Sequence, residues 1–246
     1  MKNKNILITG GTSGIGLAAA QHLQAEGAQV LVTGRNPQAL AAAQATLGPG
    51  AIVLQSDSAS LEDAQGLGNL VKRHVPKLDG VFLNAGIAQF GPIEAMTPTH
   101  YEQMFDINVR GLFFQLQAIL GILADPSSVV MNASIVGSLG LPNMSIYSAT
   151  KAAVISFGKT LAVELGGRGI RVNTISPGPI ATPAFGKLGL PAEMQKGMEE
   201  QFASQSVFKR MGKSDEVSRL VRFLLSEESS FITGDNVTID GGVRLT

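Results

Sequence analysis

The chain has no cysteine in 246 residues, which excludes disulfides, thiolate metal sites and a cysteine nucleophile. Its three histidines, His22, His74 and His100, are scattered and form no metal-ligand spacing, so no metal is expected. Charge is scarce as well: 15% of residues are charged, 19 basic against 19 acidic. A net charge of zero gives no electrostatic attraction to nucleic acid or to an anionic membrane. Long hydrophobic runs are also missing. The greasiest stretch, Val109 to Leu123, is broken by Arg110, Gln115 and Gln117 and falls short of the roughly 20 apolar residues that span a bilayer. It reads as a buried or interface helix. The opening Met1-Lys-Asn-Lys-Asn5 leads into an apolar stretch too short for a signal peptide, so a cytoplasmic location is expected.

What is present is a regular alternation. Short apolar, β-branched runs lie at Ile6–Thr9, Val30–Thr33, Ile52–Gln55, Gly80–Leu83, Val129–Asn132, Val172–Ile175 and Val237–Ile239. Helical patterns fall between them, at Ile15–Glu26, Pro37–Leu47, Leu61–His74, His100–Ala124, Tyr147–Gly166 and Ser214–Leu225. Strands that are apolar throughout, each followed by a helix, indicate a parallel sheet covered on both faces. The expected fold is α/β: a Rossmann-like, doubly wound parallel sheet of seven strands with helices on both faces. With no linker or repeat, one domain is expected over residues 1–246. The irregular insertion is Pro179 to Lys213.

The first strand runs into Thr9-Gly-Gly-Thr-Ser-Gly-Ile-Gly16 and then a helix, the context in which a glycine loop binds a pyrophosphate. Gly10, Gly14 and Gly16 permit the tight turn and close backbone approach, and amides at the helix start point at phosphate oxygens. Strand two ends in Gly34-Arg35, where an acidic residue suits the ribose hydroxyl of NAD and an arginine suits the 2′-phosphate of NADP. The arginine predicts NADP(H), with NAD(H) the alternative. Asp57 either accepts from an adenine amino group or caps the helix starting near Ser60. Asn84-Ala85-Gly86 brings small residues to the carboxyl edge of the sheet, where ligands of such sheets bind. Asn108, a poor helix former in mid-helix, marks either a kink or a held water.

Tyr147-Ser-Ala-Thr-Lys151 opens the fifth helical pattern, and residues four apart share a helix face. A free phenol has a pKa of about 10. A cation held beside it favours the phenolate, so Lys151 is expected to lower the Tyr147 value and make it a usable acid or base. Ser134 stands upstream as a hydroxyl partner.

As an ordered set, TGGTSGIG, Asn84-Ala-Gly, Asn108, Ser134, Tyr147-xxx-Lys151, Pro177-Gly and Ile239-Asp-Gly-Gly242 resemble the short-chain dehydrogenase/reductase family over nearly the whole chain. The resemblance implies that Tyr147 exchanges the proton with the substrate oxygen, that Ser134 hydrogen-bonds that oxygen, and that Lys151 binds the nicotinamide ribose. Asn108 then holds a water. It places the cofactor on Gly10, Thr12, Ser13, Gly14, Ile15, Gly16, Arg35, Asp57, Ser58, Asn84, Ala85, Gly86, Pro177, Gly178, Ile180 and Thr182, besides Tyr147 and Lys151. The implied activity is NADPH-dependent reduction of a small carbonyl compound, or oxidation of the alcohol, by a homo-oligomer such as a tetramer. Rival readings are a 3-oxoacyl-thioester reductase, a catalytically silent cofactor-binding regulator and a sugar-nucleotide epimerase. Two departures from the family pattern are Leu83, expected to affect packing only, and Ala124-Asp-Pro-Ser-Ser, which lacks the usual glycine at that turn. Residues 181–211 are expected to form a substrate lid. There Leu190, Met194, Met198 and Phe202 make an apolar stripe that faces either the cleft or the core, while Phe185 and Leu188 add apolar surface.

Overall fold

The computed structural model describes residues 1–183 and 192–245. Strands β1 (Asn5–Thr9), β2 (Gln29–Gly34), β3 (Ile52–Gln55), β4 (Leu78–Leu83), β5 (Leu123–Asn132), β6 (Ile170–Pro177) and β9 (Asn236–Ile239) form one parallel sheet in the order β3-β2-β1-β4-β5-β6-β9. The order reverses at β1, and the crevice outside the carboxyl ends at such a point is where open α/β sheets bind ligands. All seven expected strands are present.

Alternating side chains build the two layers. Ile6, Ile8, Val30, Val32, Phe82, Val130 and Ile175 face α1 (Gly14–Ala25) and α8 (Ser214–Leu225), whose Ala19, Ala20, Leu23, Val217, Val221 and Leu224 cover them. Leu7, Leu31, Val81, Leu83, Val129 and Met131 face the opposite layer, made by α3 (Leu61–Lys72), α5 (Leu112–Ile119) and α6 (Ser145–Gly166). Each fully buried Leu, Ile, Val or Phe contributes roughly 1.5–3 kcal/mol. Leu83 is one of these core residues, in keeping with a packing role. Helix α2 (Pro37–Leu47) is capped by Asn36, which accepts from the Ala39 N–H at 2.9 Å, with Pro37 at its first turn.

The expected helix His100–Ala124 is not continuous. Helix α4 (Pro98–Phe105) passes into a π-helical turn at Asp106–Gly111, then α5, then a short 3₁₀ turn at Leu120–Ile122, and β5 begins at Leu123. The π turn follows from tertiary contacts. Gly111 is pressed against the Ser58 carbonyl with no space for a Cβ, and Asn108 turns inward to bond Ile87. The segment Ala124-Asp-Pro-Ser-Ser is correspondingly part of β5, with Leu123 paired to Leu78 and Ser128 to Gly80 across a register shift.

The insertion carries a two-stranded parallel sheet, β7 (Ile180–Ala181) with β8 (Gly212–Lys213), around α7 (Ala192–Gln205). Phe185, Leu188 and Leu190 lie outside the described residues, as does the side chain of Met194. Met198 and Phe202 are half-buried, while Glu193, Lys196, Glu199 and Glu200 are exposed, as the stripe requires in either orientation. Among the described residues, no helix is long and apolar enough to cross a membrane.

Candidate active site

The crevice is built from the carboxyl ends of four central strands. Beyond β1, Gly10 and Gly14 have φ of +64° and +54°, a region that strongly favours glycine. Gly16 sits against the Gly10 carbonyl with no space for a side chain, so the loop and α1 pack directly on each other. Ser13 precedes α1 without capping it, and no acidic residue lies in its first turn. Helices α2, α3 and α4 differ, each having a side-chain cap from Asn36, Ser60 or Thr97. The α1 amides are therefore open to an outside anion. A Cβ on Gly14 would lie 3.5 Å from Thr182, so Thr182 stands against this loop. Ile180 is buried beneath it, and the Gly178 N–H bonds the Ile239 carbonyl at 2.9 Å, which aims Pro177-Gly178 along the same edge.

Arg35 follows β2 as an exposed residue, and its guanidinium has no ion pair or hydrogen-bond partner among the described residues. A Cβ on Gly34 would stand 2.6 Å from Thr12 Cγ2, so an acidic side chain at that position is obstructed by the glycine loop itself. Asp57 does not cap α3. That role belongs to Ser60, which accepts from Asp63 N–H at 3.1 Å, while Asp57 accepts from Ala59 N–H at 3.0 Å in a local turn. Ser58 is buried and accepts from Gln115 at 3.0 Å.

Asn84 acts as a frame. Its amide donates to the Thr9 and Gly10 carbonyls, both at 3.1 Å, and accepts from Asn132 at 2.9 Å, binding β1, β4 and β5 together. Thr9 Oγ1 in turn accepts from the N–H groups of Asn84 and Ala85 at 3.0 and 3.1 Å. Asn132 then offers its main-chain carbonyl to Lys151 Nζ at 2.8 Å. Thr9 enters the sequence reading only as the first residue of the glycine motif, and Asn132 carries no motif. The available signal for Asn132 is its spacing of two from Ser134 at a strand end, which puts both on one side of the chain.

Ser134 opens a 3₁₀ turn, Ile135–Gly137, whose Gly137 lies so close to α6 that a Cβ would stand 2.9 Å from the Lys151 carbonyl carbon. That contact brings Ser134 beside Tyr147, where its hydroxyl favours the ionised phenol. Lys151 Nζ lies 5.7 Å from the centre of the Tyr147 ring. On Gly86, a Cβ would meet Asn108 Oδ1 at 3.1 Å and Lys151 Nζ at 3.4 Å, so all four expected catalytic residues converge. Asn108 is itself buried. Its side-chain oxygen accepts from Ile87 N–H at 2.8 Å, and its amide donates to the Ile87 carbonyl at 2.9 Å and to Thr150 at 3.1 Å. The amide is thus a clamp inside the π turn.

The walls are apolar. Phe90 meets the Tyr147 ring edge-on at 5.9 Å, and Leu139, Leu141, Met144 and Tyr147 pack with Ile135, Val136 and Val243. This covering reverses one expectation. Burial pushes the Tyr147 phenol up to about 12, against the smaller downward effect of the neighbouring Ser134 hydroxyl. Burial also pulls Lys151 down to about 8. Lys151 does not lower Tyr147 here, because desolvation disfavours both charged forms and the ammonium is turned toward the Asn132 carbonyl.

A family model described as enoyl-(acyl carrier protein) reductase matches residues 10–244. An oxidoreductase of Sarocladium schorii is 37% identical over 245 residues, covering 99% of this chain and 96% of its own. Levodione reductase of Leifsonia aquatica is 36% identical over 247 residues, covering 96% and 92%. The crystal structure of a levodione reductase superposes with a TM-score of 0.91 at 34% identity, covering 98% of each chain. Sheet order, crevice and sequence likeness agree: the chain belongs to the short-chain dehydrogenase/reductase family of NAD(P)(H)-dependent oxidoreductases.

Proposed function

We propose that the chain is an NADP(H)-dependent carbonyl reductase and alcohol dehydrogenase for small, uncharged, largely apolar substrates. The observation that carries this reading is the convergence of Ser134, Tyr147 and Lys151 beside the glycine loop, within walls formed by Phe90, Leu139, Leu141 and Met144. The dinucleotide supplies or accepts the hydride. Tyr147 exchanges the proton with the substrate oxygen, Ser134 holds that oxygen, and the Lys151 ammonium has donors left for a ribose beyond its bond to Asn132. The open α1 amides, the positive-φ glycines and the neighbouring Thr182 fit a pyrophosphate. Unpaired Arg35, together with Thr12 filling the space beside Gly34, favours a 2′-phosphate over a free ribose hydroxyl.

Residues 181–211 are read as the substrate lid of one domain, and the protein as a homo-oligomer. Val163 on α6 is 83% exposed and Tyr101 on α4 51%, apolar surface that a second copy can cover. The deciding experiment is a panel of ketones, aldehydes and acyl thioesters with NADPH and with NADH, followed at the nicotinamide absorbance band. Because one relative is a levodione reductase, levodione heads the panel. Turnover of acyl thioesters alone, or of nothing, would replace this reading.

A further inference from the structure

Thr150 is completely buried and touches two parts of the site that the proposed chemistry uses but does not connect. Its hydroxyl oxygen lies 3.1 Å from Asn108 Nδ2 and 2.7 Å from the main-chain oxygen of Tyr147. The donors and acceptors permit one direction only. The Ile87 N–H fixes the Asn108 oxygen, so the Asn108 amide nitrogen must donate, to the Ile87 carbonyl and to Thr150. A flipped amide would set donor against donor at Ile87 and acceptor against acceptor. With its oxygen accepting from Asn108, Thr150 gives its own proton to the Tyr147 carbonyl.

The place of this bond matters. Tyr147 lies in the first turn of α6, and Met144, which precedes that turn, offers no side-chain cap. Uncapped first turns have unpaired amides and fray. The turn that bears the phenol is therefore held by tertiary contacts, and the Asn108–Thr150 bond comes from a fully buried partner. The same Asn108 grips Ile87, three residues before the Phe90 that packs on Tyr147.

We propose that Thr150 is a positioning residue: its hydroxyl ties the first turn of α6 to the π turn at Asn108 and so fixes where the Tyr147 phenol stands against Ser134. This rests on the reading of Tyr147 as acid and base. Thr150→Val keeps the shape and removes the hydroxyl. Because a misplacement of about 1 Å costs about 10²-fold, kcat is expected to fall roughly 10- to 100-fold, with KM and the dinucleotide Kd changing less than about threefold. The rising limb of alcohol oxidation against pH should move to higher pH, because a phenol displaced from the Ser134 hydroxyl loses the neighbour that favours its ionised form. Thr150→Ser should restore both kcat and the limb. If the Val variant does not fold, Thr150→Ala makes the same comparison. An unchanged kcat and pH limb in the hydroxyl-free variant overturns the proposal, as does a Ser variant as impaired as Val, which would reduce Thr150 to a packed methyl group. Tyr147→Phe run alongside separates the two ideas: full activity there removes the acid/base reading itself, whereas loss there with an active Val variant removes only the role of Thr150.

Discussion

Lys151→Met should make the protein inactive and, near neutral pH, more stable. Lys151 is 4% exposed, and among the described residues its ammonium bonds the neutral Asn132 carbonyl and no carboxylate. Burial lowers its pKa from 10.5 to about 8. The folded protein therefore binds this proton less tightly than the unfolded chain does. The resulting penalty is full below pH 8, shrinks as pH rises, and is gone above the unfolded value of 10.5. Linkage puts it at roughly 3 kcal/mol near pH 7, about 2 kcal/mol near pH 9 and under about 1 kcal/mol near pH 10. Methionine abolishes the penalty but forfeits the hydrogen bond to Asn132, worth about 1.5–3 kcal/mol for a charged donor. The net gain is at most about 1.5 kcal/mol near pH 7 and turns into a loss near pH 10. Tyr147 is present in both proteins, so its own ionisation cancels in the difference. Denaturant unfolding of wild type and variant at a series of pH values measures the gap directly. A gap that does not vary with pH, or a variant less stable near neutrality and no worse at high pH, would show that Lys151 is charged without penalty.

Other outcomes follow from the site. Tyr147→Phe should lower kcat by at least roughly 100-fold while dinucleotide binding, read by fluorescence titration, stays near normal. If Arg35 holds a 2′-phosphate as proposed, Arg35→Ala should weaken NADPH binding by about 10-fold or more, the loss of a charged hydrogen bond, and leave NADH nearly unchanged; equal effects on both cofactors would contradict the assignment. Reversing the preference asks for Gly34→Asp with Arg35→Ala, and Thr12→Ala must accompany them to clear the space beside residue 34. Val163→Glu should convert the assembly to a smaller species in sedimentation velocity, and a wild type that already sediments as a monomer at micromolar concentration ends the oligomer reading.

The strands were legible because a sheet covered on both faces selects side chains in unbroken apolar runs, as Val129-Val130-Met131 shows. The break in His100–Ala124 was not, because its causes are remote in sequence. Asn108 bonds Ile87, 21 residues away, and Gly111 meets the carbonyl of Ser58. Apolar periodicity responds to which face is buried and is blind to one extra residue in a turn. From sequence Asp57 reads equally as an adenine contact or as the cap of the helix starting near Ser60, and only the bond from Asp63 N–H shows that Ser60 itself is the cap. The frame of Thr9, Asn84 and Asn132 escaped notice for a related reason. Single polar residues at three strand ends look alike until the register of β1, β4 and β5 sets them side by side.

The pKa of Tyr147 exposes a deeper limit of sequence reading. Spacing of four residues correctly places an ammonium near a phenol, and from proximity alone the phenol should ionise more easily. Proximity enters through the charge of Lys151, however, and burial decides whether that charge is present. Burial pulls Lys151 down and pushes Tyr147 up, so the surroundings that disfavour the phenolate also disfavour the charge that would help it form. The dry, apolar surroundings that suppress both charges are also those in which an added charge acts most strongly, because the effective dielectric is low. On the proposed reading, activation of Tyr147 awaits a charge brought by the bound ligands, and the apolar residues Phe90, Leu139, Leu141 and Met144 around it tune its acidity as well as bounding the substrate.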